Sequence, residues 1–85
     1  MNEKLWFHSK ELRGNDVTVV INENLRITGT LMEYYESNNN IVLQDYIIWE
    51  RNESGGFEQS ESGSLMIVKG HLWKFLMVKK YAKRS

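Results

Sequence analysis

The sequence predicts an all-β domain with a short N-terminal helix, built as a strongly bent, five-stranded antiparallel open barrel. Three observations lead there. After Gly14 the apolar residues alternate with polar ones instead of recurring at helical spacing. The runs are separated by glycine, asparagine and serine turns, with no segment suited to a crossover helix. Proline is absent, so no run is barred from a sheet interior.

Each element has its own justification. The opening MNEKLWFHSKELRGN reads as a helix over about 2–13. Asn2 is placed to cap it, Glu3 suits its positive end and Gly14 is placed to stop it. Leu5, His8 and Leu12 share one stripe, with Trp6 and Phe7 beside it. A first strand over about 16–22 sets Val17, Val19 and Ile21 on one face and Thr18 and Asn22 on the other. A second, over about 25–35, sets Leu25, Ile27 and Leu31 against Arg26, Thr28 and Thr30. The NEN turn between them makes a hairpin, with Asn24 the residue expected at positive φ. Gly29 interrupts the second strand, where glycine signals a bend, a bulge or a close backbone approach. The third strand, about 40–50, is apolar on both faces and is expected to be covered on both. RNESGGFEQSESGS is polar and rich in glycine and serine, and reads as a mobile loop over about 51–63. Two short strands follow, about 64–68 and 72–78, joined by a very tight turn at Gly70. Trp73, Phe75 and Met77 would share one side of the last, available for subunit contacts. Residues 79–85 form a basic tail. Oligonucleotide-binding, SH3-like and Sm-type barrels all satisfy this order of elements, and periodicity does not choose among them.

Eighty-five residues make one small domain. A chain of this size buries only about 60–65% of its unfolded surface, which favours added stability from assembly. Without cysteine it forms neither disulfides nor thiolate metal sites. No secretory h-region and no membrane-length apolar run occurs, so a soluble cytoplasmic protein is expected, or a nuclear one in a eukaryote. Net charge is zero but unevenly spread. Between Val17 and Gly63 eight carboxylates face only Arg26 and Arg51, whereas from Ser64 onward there are six basic residues and no acidic one. Such a basic end is either a solvated terminus or an attraction for polyanions.

The sequence holds no signature of catalysis. His8 and His71 are far apart, with no third ligand or orienting carboxylate at a recognisable spacing, and no phosphate loop, HExxH or GxSxG motif occurs. A binding protein is therefore expected, with no enzyme activity, cofactor, metal, membrane or small-molecule substrate. Aromatic rings, amides and lysines remain, and these groups suit single-stranded nucleic acid.

Two stretches are more specific. VTVVINENLRITGTLMEYYESNNNIVLQD resembles the first motif of the Sm and Sm-like (LSm) family, through Gly29, Leu31, Asn40, the IVL run and Asp45. LMIVKGHLWKFLMV resembles the second, through the Val68-Lys69-Gly70 triplet between two short strands. Both motifs stand in the family's order and cover Leu12 to about Val78, with an archaeal-type or divergent LSm character.

The resemblance implies the Sm-like fold and a homo-oligomeric ring, six or seven subunits in number, closed by pairing of edge strands. It further implies binding of short single-stranded U-rich or A/U-rich RNA, as a scaffold or chaperone in RNA processing or turnover. Carried over by position, Asn40 is the amide that reads a base edge, Lys69 stands for the usual arginine, Gly70 permits close approach, and His71 replaces a small polar residue. The first loop is one residue longer than the family pattern. Counted back from Asn40, Glu36 takes the acid position and Asn38 the stacking position; counted forward from Leu31, Tyr35 takes the acid's place. The second reading is a structural or protein-interaction ring subunit with a degenerate base pocket.

Overall fold

A computed structural model describes residues 13–78 of the chain. Five strands follow one another: β1 (Asp16–Asn22), β2 (Leu25–Tyr35), β3 (Asn40–Arg51), β4 (Phe57–Val68) and β5 (Phe75–Val78). They form one antiparallel sheet in the order β4-β3-β2-β1-β5, so β4 and β5 are its edges. The expected helix as far as residue 12 and the basic tail over 79–85 lie outside the described residues, and Arg13, the helix's expected last residue, is in a turn.

Alternation decides which side chains enter the core. Val17, Val19, Ile27, Leu31, Tyr34, Ile41, Leu43, Val68 and Trp73 form one buried cluster, with Ile21, Ile48, Met66 and Leu76 packed against it. Burying each such aliphatic side chain contributes about 1.5–3 kcal/mol. The opposite face of the sheet is more open. On β3, Ile41 and Leu43 are fully buried while Val42 and the run from Tyr46 to Trp49 are only half-buried, so the double cover expected for this strand is not reached, and burial is complete only on the core side of its first half.

Gly29 lets the sheet bend. The β2–β3 register shifts between Thr28 and Thr30, so that Gly29 faces both Asp45 and Tyr46. A methyl group at Gly29 would sit 3.1 Å from the Gln44 carbonyl oxygen and 3.3 Å from Tyr46 Cα. The bulge increases local twist, and Asp45 opposite it takes a φ of 53°.

Four expectations need correction. The first concerns the β1–β2 turn, where Asn24 is not at positive φ; among the described residues outside glycine, Asn39 and Asp45 are. Instead, the Asn22 side chain accepts the Asn24 N–H at 2.7 Å, so a side-chain turn replaces the left-handed residue. The second concerns the segment over 51–63, which is mostly strand. Phe57 to Gly63 pair with Arg51 to Tyr46, and β4 begins at Phe57 rather than at residue 64. The loop shrinks to 52–56, tied by Asn52, whose Oδ1 accepts the N–H groups of Ser54 and Gly56. Polar composition misleads here because an edge strand is held by main-chain bonds and tolerates charge. Two ring contacts assist: Arg26 and Arg51 both lie on the Phe57 ring, at 4.4 and 4.7 Å from its centre, and Tyr46 covers Gly63 across the strands.

The third correction is that β5 starts at Phe75, not at residue 72, and the turn at Gly70 widens into a connection over 69–74. The Leu72 N–H closes it on the Lys69 carbonyl at 3.0 Å. The fourth follows from the third. Trp73 leaves the exposed side of the last strand for the core, at 1% exposure, while Phe75 and Met77 remain exposed.

Candidate nucleic-acid interface

The β2–β3 turn and the β4–β5 connection meet at one end of the sheet, and Gly70 is where they touch. A methyl group on Gly70 would overlap the Asn38 carbonyl oxygen and come within 2.7 Å of Asn39 Cβ. Only a residue without a side chain lets these backbones approach so closely. The Gly70 N–H then donates to Asn40 Oδ1 at 2.8 Å.

The three asparagines have three distinct structural roles. Asn38 Oδ1 accepts the Asn40 N–H at 2.9 Å, which folds the Asn38 side chain back onto its own turn. Asn39 adopts a φ of 62°, a left-handed conformation that asparagine tolerates better than other side-chain-bearing residues. Its main-chain N–H donates to the Tyr35 carbonyl at 2.7 Å. Its side-chain oxygen accepts the Tyr34 hydroxyl, and its carbonyl accepts Trp73 Nε1–H at 2.8 Å. Asn40 opens β3 and reaches sideways to Gly70. One lone pair of Asn40 Oδ1 is occupied by that bond.

Register sets what surrounds Asn40. Tyr35 is its direct cross-strand partner on β2, and directly opposed residues share one face of a sheet with Cβ atoms about 4.5–5.5 Å apart. Lys69 follows Val68, whose side chain is in the core, at the start of the connection and next to Gly70. Tyr35, Lys69, His71 and Glu36 are all exposed. The structure therefore brings Asn38, Asn40, Lys69 and Gly70 to one junction, with His71 directly after it and Glu36 in the adjoining turn.

Sequence reasoning missed Asn39, Tyr34 and Trp73, which hold this junction from beneath. No linear spacing announces a bond between residues 34 positions apart. It also took Tyr35 only as an alternative for the acid position. The hairpin register is what sets Tyr35 beside Asn40.

A second concavity lies elsewhere. A cleft of about 600 Å³ on the outer face is lined by Thr18, Thr28, Trp49 and Met77, with Asp16 and Asp45 as its charged groups. Trp49 Nε1–H is spent there on Thr28 Oγ1 at 2.9 Å. Among the described residues its lining holds two carboxylates and no cation, a balance that disfavours phosphodiesters. Among the described residues no group of three or more His, Cys, Asp or Glu side chains is placed to hold a metal ion, and no helix is long and apolar enough to cross a membrane.

No family model and no curated protein matches the chain. Among solved structures it is similar to the Sm protein of Pyrococcus abyssi, determined in complex with a uridine heptamer. That likeness has a TM-score of 0.67 at 18% identity, over 82% of this chain and 90% of that one. It is also similar to a heptameric archaeal Sm protein, with a TM-score of 0.60 at 21% identity, over 84% and 94% of the two chains. The five-stranded sheet is thus an Sm fold.

Proposed function

We propose that this chain is a ring-forming, Sm-like RNA-binding protein. It takes short single-stranded U-rich or A/U-rich RNA at the junction of the β2–β3 turn and the β4–β5 connection, and acts as a scaffold or chaperone in RNA processing or turnover. The observation that carries this reading is the fit of Gly70 against Asn38 and Asn39 with its N–H on Asn40 Oδ1, which presents the Asn40 amide beside Lys69. Asn40 keeps two Nδ2 hydrogens and one Oδ1 lone pair, a donor and acceptor that can meet a base edge. Lys69 adds a cation for phosphate or a base carbonyl. The uridine heptamer held by one structural neighbour and the heptameric state of the other agree with this reading.

Assembly into a ring, six or seven copies in this reading, is supported by the two open edges of the sheet. β4 exposes Leu65 and Ile67, and β5 exposes Phe75 and Met77. Their cross-strand partners Gln44, Val42, Val20 and Thr18 place both pairs on the outer face. Pairing β4 of one copy with β5 of the next would satisfy both open edges and join the two apolar pairs.

The test is binding of a heptauridine at several salt concentrations, to wild type and to N40A/K69A. The reading requires base-selective binding by wild type that the double change removes. Base-indifferent binding abolished by salt would favour the second reading, a structural or protein-interaction ring with a degenerate pocket. That reading draws support from Asn38, whose side chain is occupied within its own turn.

A further inference from the structure

We propose that the cleft on the outer face is the docking surface for this chain's own basic end, residues 79–85. The proposal stands apart from the RNA-binding reading, because neither the β2–β3 turn nor the β4–β5 connection lines the cleft. Asp16 and Asp45 are its charged groups, and neither has an ion-pair partner among the described residues. Trp49 and Met77 give it an apolar wall, and the bond from Trp49 Nε1–H to Thr28 Oγ1 fixes the indole ring there. Two uncompensated carboxylates beside an aromatic ring suit a lysine or arginine side chain. Its apolar stem lies along the wall while its charged head meets the acid.

Three observations choose the basic end as the occupant. The first is where the described chain stops. Val78 itself lines the cleft, paired with Val17, and Met77 is paired with Thr18. One further step of that ladder sets position 79 opposite Asp16, on the face that Met77 shares. The second is charge. Residues 79–85 carry Lys79, Lys80, Lys83 and Arg84 and no acidic side chain, whereas residues 1–12 balance Lys4 and Lys10 against Glu3 and Glu11. The third is reach. Asp16 pairs with Thr30 and Thr30 with Gln44, so Asp45 lies two strands away, at a spacing of roughly 10 Å. The step from Lys79 to Lys83 spans up to about 13–14 Å when extended, enough to set one cation at each carboxylate.

The strands leave room for both carboxylates to act. Asp16 Oδ1 accepts the Thr30 hydroxyl at 3.2 Å, which orients the group and leaves its second oxygen for a cation. Asp45 is set opposite Gly29 by the β2–β3 bulge and is exposed. A tail that crosses β1 and β2 toward β3 runs away from the open edge of β5, so it leaves that edge to pairing between copies.

The experiment places a benzophenone photocrosslinker on Ala82→Cys in the full chain, whose sequence has no other cysteine. Irradiation at low salt is expected to give a link of single-chain mass that maps to the cleft strands, around Asp16, Thr28 or Asp45. D16N/D45N keeps the shapes and the Thr30 bond and should lower the yield of that link by roughly 3- to 30-fold, as two partly exposed ion pairs allow. Salt at about 0.5 M should lower it likewise. E58Q/E61Q, an equal loss of charge outside the cleft, should leave it unchanged. A link of two-chain mass would assign the cleft to a second copy and overturn the proposal. So would a link that avoids the cleft, one that D16N/D45N leaves intact, or one that E58Q/E61Q lowers equally. If circular dichroism shows D16N/D45N misfolded, the decision passes to K79Q/K80Q/K83Q/R84Q, whose changes lie outside the sheet: loss of the link supports docking, and its persistence overturns it.

Discussion

Asn39 is the residue on which the site geometry depends most. Its left-handed backbone lets the turn close on the Tyr35 carbonyl, and its polar atoms receive Tyr34 and Trp73 from the core. Asn39→Gly keeps the backbone conformation and removes the side-chain acceptor, whereas Asn39→Ala removes both. Urea denaturation should therefore show Asn39→Ala less stable than Asn39→Gly by about 1 kcal/mol, with both below wild type. A more stable alanine variant would contradict this account. Gly70 offers a steeper contrast. Its φ is not in the positive region, so Gly70→Ala strains the packing between the two loops rather than the local backbone. It should cost about 1–3 kcal/mol and weaken heptauridine binding as the loops separate. An unchanged denaturation midpoint would mean that the loops part freely.

Among the elements, the distal half of the β3–β4 hairpin behaves least as its composition implies. Glu58, Gln59, Ser60, Glu61 and Ser62 are all exposed, yet they belong to a strand paired to β3. Arg51 anchors its end. Its Nε and Nη2 groups donate to the Glu23 carbonyl at 2.9 and 2.8 Å, and Nη1 donates to the Gly55 carbonyl at 2.8 Å. One guanidinium thus ties the β1–β2 turn to the β3–β4 turn while it lies on Phe57. Hydrogen exchange should show ladder amides over 57–63 protected well beyond random-coil rates. Phe57→Ala should speed exchange there and leave 64–68 protected, because the lost ring contacts amount to about 0.5–1 kcal/mol each. Coil-like exchange over 57–63 in wild type would refute the long strand.

For the whole molecule, the open edges matter most. Among the described residues the sheet ends in Leu65 and Ile67 on one side and Phe75 and Met77 on the other, so main-chain groups of two edge strands lie open beside apolar side chains. Native mass spectrometry at micromolar concentration should find a closed oligomer of six or seven copies. Ile67→Glu, on an exposed face and outside the core, should shift that population toward monomer without loss of strand content by circular dichroism. A wild type that is monomeric at that concentration would refute the ring. Because a ring would gather one site per copy, such a variant should also lose heptauridine affinity through lost multivalency, with each single site intact.

Much of the fold was legible because it is local. Val17, Val19, Ile27 and Leu31 announce a buried face by period alone, and Gly29 announces a bulge because a side chain there would crowd the Gln44 carbonyl and the Tyr46 backbone. The paired motifs likewise marked Asn40 and Gly70, and the structure joins them by a hydrogen bond. What remained was decided between strands. The polar strand from Phe57 exists because β3 offers it a ladder, and Trp73 is core because Asn39 offers its indole an acceptor. Tyr34 and Tyr35 are chemically identical neighbours, and composition assigns them no difference. The register of β2 on β3 buries one beneath Asn39 and leaves the other beside Asn40. Side-chain period is written along a chain; the partner that each face meets is set only when strands pair.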